Sequence, residues 1–166
     1  MIAEGARLVS EEIVMLGADP LLVVVGTPAV KICPRVADLL GFAGRTRPAY
    51  AHADYAHEGV LVALDEAQFA SRAVSPIGEI ILLGQRHGGE SPALSPPLPA
   101  AQAAAALADC GYWMQHLPPE ARGRVMRAGL EIARRRPVRT LSLPDDLSAL
   151  PQAARLLCGR RPSGRP

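Results

Sequence analysis

The hydrophobic pattern at the start of the chain predicts a β-hairpin. Residues 12–16 and 21–25 are two mainly apolar runs, and the four residues between them, Gly-Ala-Asp-Pro, are typical of a turn. Later apolar runs at residues 30–33, 60–64 and 79–83 are bounded by Gly, Pro and polar residues, so each predicts a short strand. The continuous apolar character of residues 79–83 favours a central position in a sheet.

Helical patterns follow mainly in the second half of the chain. A short helix is predicted over residues 35–40, between a leading Pro and a closing Gly. Longer helices are predicted over the Ala-rich residues 99–110 and over residues 118–136, with a strand at 138–143 and a last helix, capped by an Asp-Asp pair, over 145–157. Strands early and helices late predict an α+β fold, with a mixed sheet and helices packed against it.

The remaining segments complete the predicted organisation. Residues 43–59 and 84–99 are polar or rich in Gly and Pro, which predicts two loops. Residues 1–158 are interpreted as a single domain, and the basic, Gly- and Pro-containing residues 159–166 as a flexible tail.

Composition narrows the class of protein. The chain has 166 residues, of which 49% are hydrophobic, enough for one domain with a core. A net charge of +2 gives no support to nucleic-acid binding. The sequence shows no signal peptide and no apolar run long enough to span a bilayer, and its three cysteines are far apart. We therefore expect a cytoplasmic protein with reduced thiols and no membrane contact.

An acidic pair stands out between two apolar runs. Glu11 and Glu12 are expected at a strand end, where adjacent carboxylates are costly unless a metal, a cation or water meets them. In phosphoryl transfer, one carboxylate holds Mg²⁺ while another accepts a proton from a hydroxyl group. The alternative interpretation is a solvated strand tip without catalytic function.

No intact phosphate loop occurs in the sequence. The nearest match to G-x-x-x-x-G-K-[ST] is residues 84–91, which follow a predicted strand. Its lysine position is Glu90, whose charge would repel phosphate, and Pro92 follows where a helix should begin. This match is therefore interpreted as a coincidence.

A His-rich loop and two arginines offer further candidate chemistry. The near-repeat in residues 50–58 brings together four side chains able to bind a metal, which would suit a metal-dependent hydrolase. Local duplication in a loop is the simpler interpretation. Arg45 and Arg47 are candidates for phosphate contact, or are simply solvated. The four side chains of the near-repeat are His52, Asp54, His57 and Glu58.

The order of motifs resembles the C-terminal part of the HPr kinase/phosphorylase-like family. Residues 5–16 are similar to a strand carrying G-x-x-L-x-S-D-D followed by an apolar strand, and residues 26–34 match G-x-P-x-[IVL]-[RK]-[IL]-x-P. The Leu-Gly at residues 40–41, the strand at 76–83 and the segment 119–146 also follow the family order. The resemblance implies a P-loop fold similar to phosphoenolpyruvate carboxykinase.

The resemblance also implies an activity and a set of site residues. Members of the family transfer the γ-phosphoryl group of ATP to a serine of a protein or peptide, with Mg²⁺. Carried over by motif, Glu11 is the proton acceptor and Glu12 the Mg²⁺ ligand, and the two are able to exchange roles. Lys31, Arg45 and Arg47 are the residues expected to contact phosphate.

Two departures from the family pattern set the alternatives. The usual Asp-Asp is Glu-Glu here, and the phosphate loop is expected N-terminal to Met1. The chain alone is therefore expected to be a truncated or inactive kinase-like unit. The competing hypothesis is a non-catalytic module that binds a peptide or partner, or a second copy, through an exposed sheet face.

Overall fold

The computed structural model describes residues 1, 5–11, 13–48, 59–70, 72–111 and 116–159. Within them the chain forms nine strands, arranged in three small sheets, and four α-helices, so the predicted α+β class is confirmed. In chain order the elements are β1 (Met15–Leu16), β2 (Leu22–Val24), β3 (Ala29–Ile32), α1 (Pro34–Leu39), β4 (Thr46–Pro48), β5 (Val60–Ala63), β6 (Val74–Pro76), β7 (Ile80–Leu83), β8 (Ala93–Leu94), α2 (Ala100–Asp109), α3 (Pro119–Arg135), β9 (Val138–Ser142) and α4 (Leu150–Cys158).

The first sheet contains the predicted hairpin. Strand β1 pairs antiparallel with β2, with Met15 opposite Val24, and β2 pairs antiparallel with β6. In the turn, the carboxylate of Asp19 accepts a hydrogen bond from the N–H of Leu21 at 2.9 Å. This turn chemistry explains why the hairpin was predictable. The sheet is antiparallel, however, and not the mixed sheet expected around the acidic pair.

The second sheet has the order β3-β5-β4, with both pairings antiparallel. Its inner face packs Val62 against Ala37 of α1 and Leu64, which together form one core cluster. Helix α1 ends before Gly41, whose φ of +74° is the left-handed conformation that favours glycine. Strand β4 lies inside the segment predicted as a loop, so that part of the prediction was wrong.

The third sheet has the order β7-β9-β8, with β7 parallel to β9 and β8 antiparallel to it. Strand β9 is therefore central, whereas β7, expected in the centre, leaves Leu83 75% exposed. Strand β8 also falls within a predicted loop. A half-buried ion pair links the strands of this sheet. Arg139 Nε of β9 lies 2.6 Å from Glu79 Oε1, just before β7, and Arg139 Nη1 donates to the Ser95 carbonyl, just after β8.

Helices α2 and α3 pack against each other and against the first and third sheets. Leu21, Ile77 and Ile132 are the buried centre of this second core cluster. Gly129 of α3 is buried, and a Cβ atom there would lie 3.5 Å from the Cβ of Leu107. That distance is an ordinary van der Waals contact, so Gly129 lies directly against α2 where the two helices pack. Both helices were predicted from the sequence, and both are confirmed.

The last helix begins after a short 3₁₀ turn. The Asp146 carboxylate accepts hydrogen bonds from the Ser148 N–H at 2.8 Å and from the Ser148 hydroxyl at 2.5 Å. These bonds stabilise the charged form, the hydroxyl more than the N–H, and lower the pKa of Asp146 below its ordinary value. Helix α4 then begins at Leu150, later than the predicted start at residue 145, with Pro151 in its first turn and no side-chain cap.

The lowered pKa of Asp146 predicts a specific acid sensitivity. Its stabilising contribution is fully present above the ordinary value of 3.8 and is lost as pH falls through the lower folded value. We expect Asp146→Asn to flatten the pH dependence of the free energy of unfolding in that acidic window only. Urea unfolding of both proteins at a series of pH values tests this. An unchanged pH profile would mean that the Ser148 bonds do not form in solution.

The sequence predicts reduced thiols and no membrane-spanning segment. Cys33, Cys110 and Cys158 are all exposed and form no disulfide. Among the residues that the structure describes, no helix is both long and apolar enough to cross a membrane.

Candidate functional site

The acidic segment is held by backbone hydrogen bonds and not by a full strand. The Leu8 N–H donates to the Gln68 carbonyl at 2.8 Å, and the Ala70 N–H donates to the Leu8 carbonyl at 2.7 Å. This isolated bridge is all that remains of the strand predicted before the acidic pair. Glu11 lies in a bend beyond it and is half-buried, so its predicted place at a strand end was wrong. Glu12 lies outside the described residues.

The segment is also fixed from its other side. The Gly26 N–H donates to the Val9 carbonyl at 2.8 Å, and the Ser10 hydroxyl donates to the Ile13 carbonyl at 2.7 Å. A Cβ atom at position 26 would lie only 2.7 Å from the Ser10 hydroxyl oxygen, so any other residue there would force Ser10 to shift. The two segments that carry the family resemblance, residues 5–16 and 26–34, are therefore in direct contact.

Arg45 has a well-defined set of partners. Its Nη2 donates to the Ala63 carbonyl at 2.8 Å and to Gln68 Oε1 at 3.0 Å, and its Nη1 lies 3.6 Å from Asp65 Oδ2. The guanidinium also lies 5.8 Å from the centre of the Phe42 ring. These contacts join Arg45 to β5, to the turn that follows β5 and to Phe42, which lies between α1 and β4. The role of Arg45 in this arrangement is to position the chain.

Lys31 and Arg47 are brought together by the register of the second sheet. Lys31 of β3 and Arg47 of β4 are both paired with Leu61 of the central strand β5. Residues directly opposite one another in neighbouring strands project from the same face. All three are exposed, whereas the next residue, Val62, is completely buried on the other face. Two of the three predicted phosphate-contact residues therefore share one outer surface.

A groove opens at the edge of this sheet. It has a volume of about 390 Å³ and is lined by residues 44–47 and 63–65. Arg45, Arg47 and Asp65 all contribute to it, but neither Lys31 nor Glu11 lines it. The structure thus gathers two of the basic candidates in one groove, and the acidic segment is joined by Leu8 to the turn at Gln68 that binds Arg45.

The residues that organise this groove, Asp65 and Gln68, are not among those predicted from the sequence. Asp65 and Gln68 form a local turn, in which the Gln68 N–H donates to Asp65 Oδ1 at 3.0 Å, and both then bind Arg45. The sequence does contain a signal for this turn. Asp65 comes directly after an apolar run, and an Asp in that position is typical of a turn in which the side chain accepts a backbone hydrogen bond.

The two remaining candidates from the sequence are the segment that resembles a phosphate loop and the His-rich loop. In the segment that resembles a phosphate loop, His87 forms backbone hydrogen bonds with Leu143 and Asp145, and its Nδ1 accepts one from the Gly89 N–H. No helix begins there, which agrees with a coincidental match.

The His-rich residues 50–58 lie outside the described residues. Elsewhere in the described chain, no group of three or more His, Cys, Asp or Glu side chains could hold a metal ion.

Comparison of the chain with protein-family models, with curated proteins and with solved structures gave no match. The kinase hypothesis therefore depends on the sequence motifs and on the contacts described above.

Proposed function

We propose that this chain is part of an HPr-kinase-like, ATP-dependent serine phosphotransferase and carries its acidic catalytic segment. The observation that favours this proposal most is the contact between Ser10 and Gly26, because it joins the two most distinctive motifs of the resemblance. Hydrogen bonds on both sides of residues 8–10 hold the backbone that leads to Glu11. Fixed geometry of this kind is what a positioned acid–base group needs.

The proposed roles follow the chemistry of phosphoryl transfer. Glu11 accepts the proton of the substrate serine hydroxyl. The serine oxygen then forms a bond to the γ-phosphorus of ATP, and the bond from that phosphorus to ADP breaks. Glu12 would hold Mg²⁺, whose preference for carboxylate oxygens fits the Glu-Glu pair, and a bound ion would supply positive charge to neutralise the phosphates. Lys31 and Arg47 are the proposed phosphate contacts. Arg45, by contrast, donates hydrogen bonds to the Ala63 carbonyl and to Gln68 of the protein itself.

This proposal requires a phosphate loop that the 166 residues do not contain. We therefore expect the chain alone to bind MgATP poorly, because the backbone N–H cradle and its lysine supply most of the phosphate affinity. Isothermal titration with MgATP measures this directly. Micromolar binding by the chain alone would show that another segment forms the phosphate site and would contradict the proposed arrangement.

A second candidate function is a partner-binding module derived from the same fold. The observation that favours it is the exposure of β1 and the two residues before it, since four consecutive large apolar side chains are 39–54% exposed. Contiguous apolar surface of this kind commonly marks an interaction site. Strand β1 also pairs only with β2 among the described residues, which leaves a free edge. The four side chains are Ile13, Val14, Met15 and Leu16.

We expect this apolar strand to drive association of the isolated chain. Substitution Met15→Lys places a charge in the exposed run and is expected to shift the sedimentation profile toward monomer. Leu39→Lys is the matched control, because Leu39 is also a large exposed apolar residue but lies on α1. A wild-type chain that sediments as a monomer at all concentrations would contradict the association.

A further inference from the structure

A proline-rich segment on the surface connects β8 to α2. We use this term for residues 95–99, Ser-Pro-Pro-Leu-Pro, which belong to neither element. Proline fixes φ at about −65°, and the residue before a proline is restricted to extended conformations. Each of the five residues is a proline or precedes one. The segment is therefore confined to the polyproline II region, where Pro99 is found with φ −55° and ψ 141°.

Hydrogen bonds hold one side of the proline-rich segment against β9. The Ser95 N–H donates to the Thr140 carbonyl at 2.9 Å, and the Leu98 N–H donates to the Val138 carbonyl at 2.8 Å. Ser95 is held further, because its carbonyl accepts from Arg139 Nη1 at 2.8 Å and its hydroxyl oxygen accepts from the Thr140 N–H at 2.9 Å. The backbone is thus fixed on both sides of the two adjacent prolines.

The prolines of the segment face away from β9. A polyproline II helix has three residues per turn, so residues three apart lie on one ridge. Ser95 and Leu98 form the ridge against β9 and are half-buried. Pro96 and Pro99 form a second ridge, Pro97 lies on the third, and all three prolines are exposed. The period of the helix therefore matches the burial, with one ridge toward the protein and two toward solvent.

We propose that the proline-rich segment docks in an aromatic-lined groove of a partner protein, of the kind that binds polyproline II helices. Such grooves take P-x-x-P segments and exploit the small entropy that a preformed helix loses on binding. Pro96 and Pro99 provide this spacing, about 9.3 Å apart along the helix. The carbonyls of Pro97 and Leu98 accept no hydrogen bond from the described residues, so they are available to donors of the groove.

The chemistry of the segment narrows the class of partner. Residues 91–100 contain no charged side chain, so a partner recognises them through apolar stacking and hydrogen bonds and not through ion pairs. Aromatic side chains supply a flat apolar surface for the exposed proline rings, and Tyr and Trp also carry a hydrogen-bond donor. We therefore expect binding to be nearly independent of salt, since screening acts on charges. This inference does not depend on phosphotransferase activity.

The experiment uses a purified WW domain and a purified SH3 domain as probes, since both bind polyproline II segments in aromatic grooves. Surface plasmon resonance on the immobilised probes measures binding of the full chain and of a synthetic peptide of residues 91–100. We expect at least one probe to bind both. The chain should bind at least as tightly as the peptide, because the segment is already ordered in the folded protein. Added sodium chloride should change the affinity less than about twofold.

Substitution of the prolines then locates the contact. Pro96→Ala combined with Pro99→Ala removes the exposed ridge and should weaken binding of the chain by at least ~10-fold, the scale of losing two central anchors. Pro92→Ala is the matched control and should leave the affinity unchanged, because Pro92 belongs to the same uncharged stretch but lies before β8. Far-UV circular dichroism verifies folding. If the double variant is unfolded, Pro97→Ala replaces it, with an expected loss of at least ~5-fold.

Any of three results would overturn the proposal. Failure of both probes to bind the peptide and the chain would show that this proline spacing is not recognised. Binding of the peptide but not of the chain would show that the ridge is inaccessible in the folded protein. Equal affinity of the Pro92→Ala protein and the double variant would place the contact elsewhere.

Discussion

Replacement of Ile132 by alanine is expected to lower the free energy of unfolding by about 2–5 kcal/mol. Ile132 is 4% exposed and packs with Leu21 of the hairpin turn and Ile77 after β6, so its side chain joins α3 to the first sheet. Truncation removes the transfer free energy of the buried groups and leaves a cavity. Because a whole domain is stable by only about 5–15 kcal/mol, this change is a large share of the total.

The matched control lies on the same helix. Met126→Ala shortens a large apolar side chain that is 56% exposed, and we expect it to change the free energy of unfolding by about 0.5 kcal/mol or less. Urea denaturation followed by circular dichroism compares the two variants. If Met126→Ala is as damaging as Ile132→Ala, the contacts of α3 in solution differ from those described here.

The elements predicted correctly from sequence are those with strong local signals. Helices α2 and α3 are long, begin next to proline and are helical in composition or periodicity, so their own residues specify them. The hairpin of β1 and β2 is specified by its turn, where Asp19 forms a side-chain hydrogen bond to the backbone. In each case the determining interactions lie within a few residues of one another.

The strands that the sequence did not predict are stabilised by distant partners. Strand β4, Thr-Arg-Pro, has no apolar alternation, yet it pairs with β5, whose nearest partner residue is 12 positions later in the chain, Val60 opposite Pro48. Strand β8 has two residues and pairs with the much later β9. Strand propensity depends on the neighbouring strand, so such elements carry little signal of their own.

The same reason limits prediction of the candidate site. Lys31, Arg45 and Arg47 were chosen individually as basic residues, but their arrangement depends on β4, which was not predicted. Only the register shows that Lys31 and Arg47 flank Leu61, and only the turn at Asp65 shows that Arg45 is engaged by the protein. The residue types are thus evident from the sequence, whereas their grouping in space depends on how the strands pair in the sheet.

The acidic pair provides the most direct test of catalysis. In a protein that includes an upstream phosphate loop, Glu11→Gln and Glu12→Gln are each expected to lower serine phosphorylation by at least ~10²-fold. Glutamine keeps the size of the side chain and removes its charge, so the loss would report a missing proton acceptor or Mg²⁺ ligand and not a missing contact. Transfer of labelled γ-phosphate to a serine substrate is the measurement, with circular dichroism to verify folding.

Glu58→Gln is the control that separates this hypothesis from the metal-hydrolase alternative. Glu58 belongs to the His-rich segment with His52, Asp54 and His57, and the kinase hypothesis gives it no part in phosphoryl transfer. We therefore expect its substitution to change phosphorylation less than about twofold, within the scatter typical of surface changes. If Glu58→Gln abolished activity while Glu11→Gln and Glu12→Gln did not, the wrong acidic cluster would have been chosen. Because a metal site needs several ligands together, His52→Ala should then cause a similar loss.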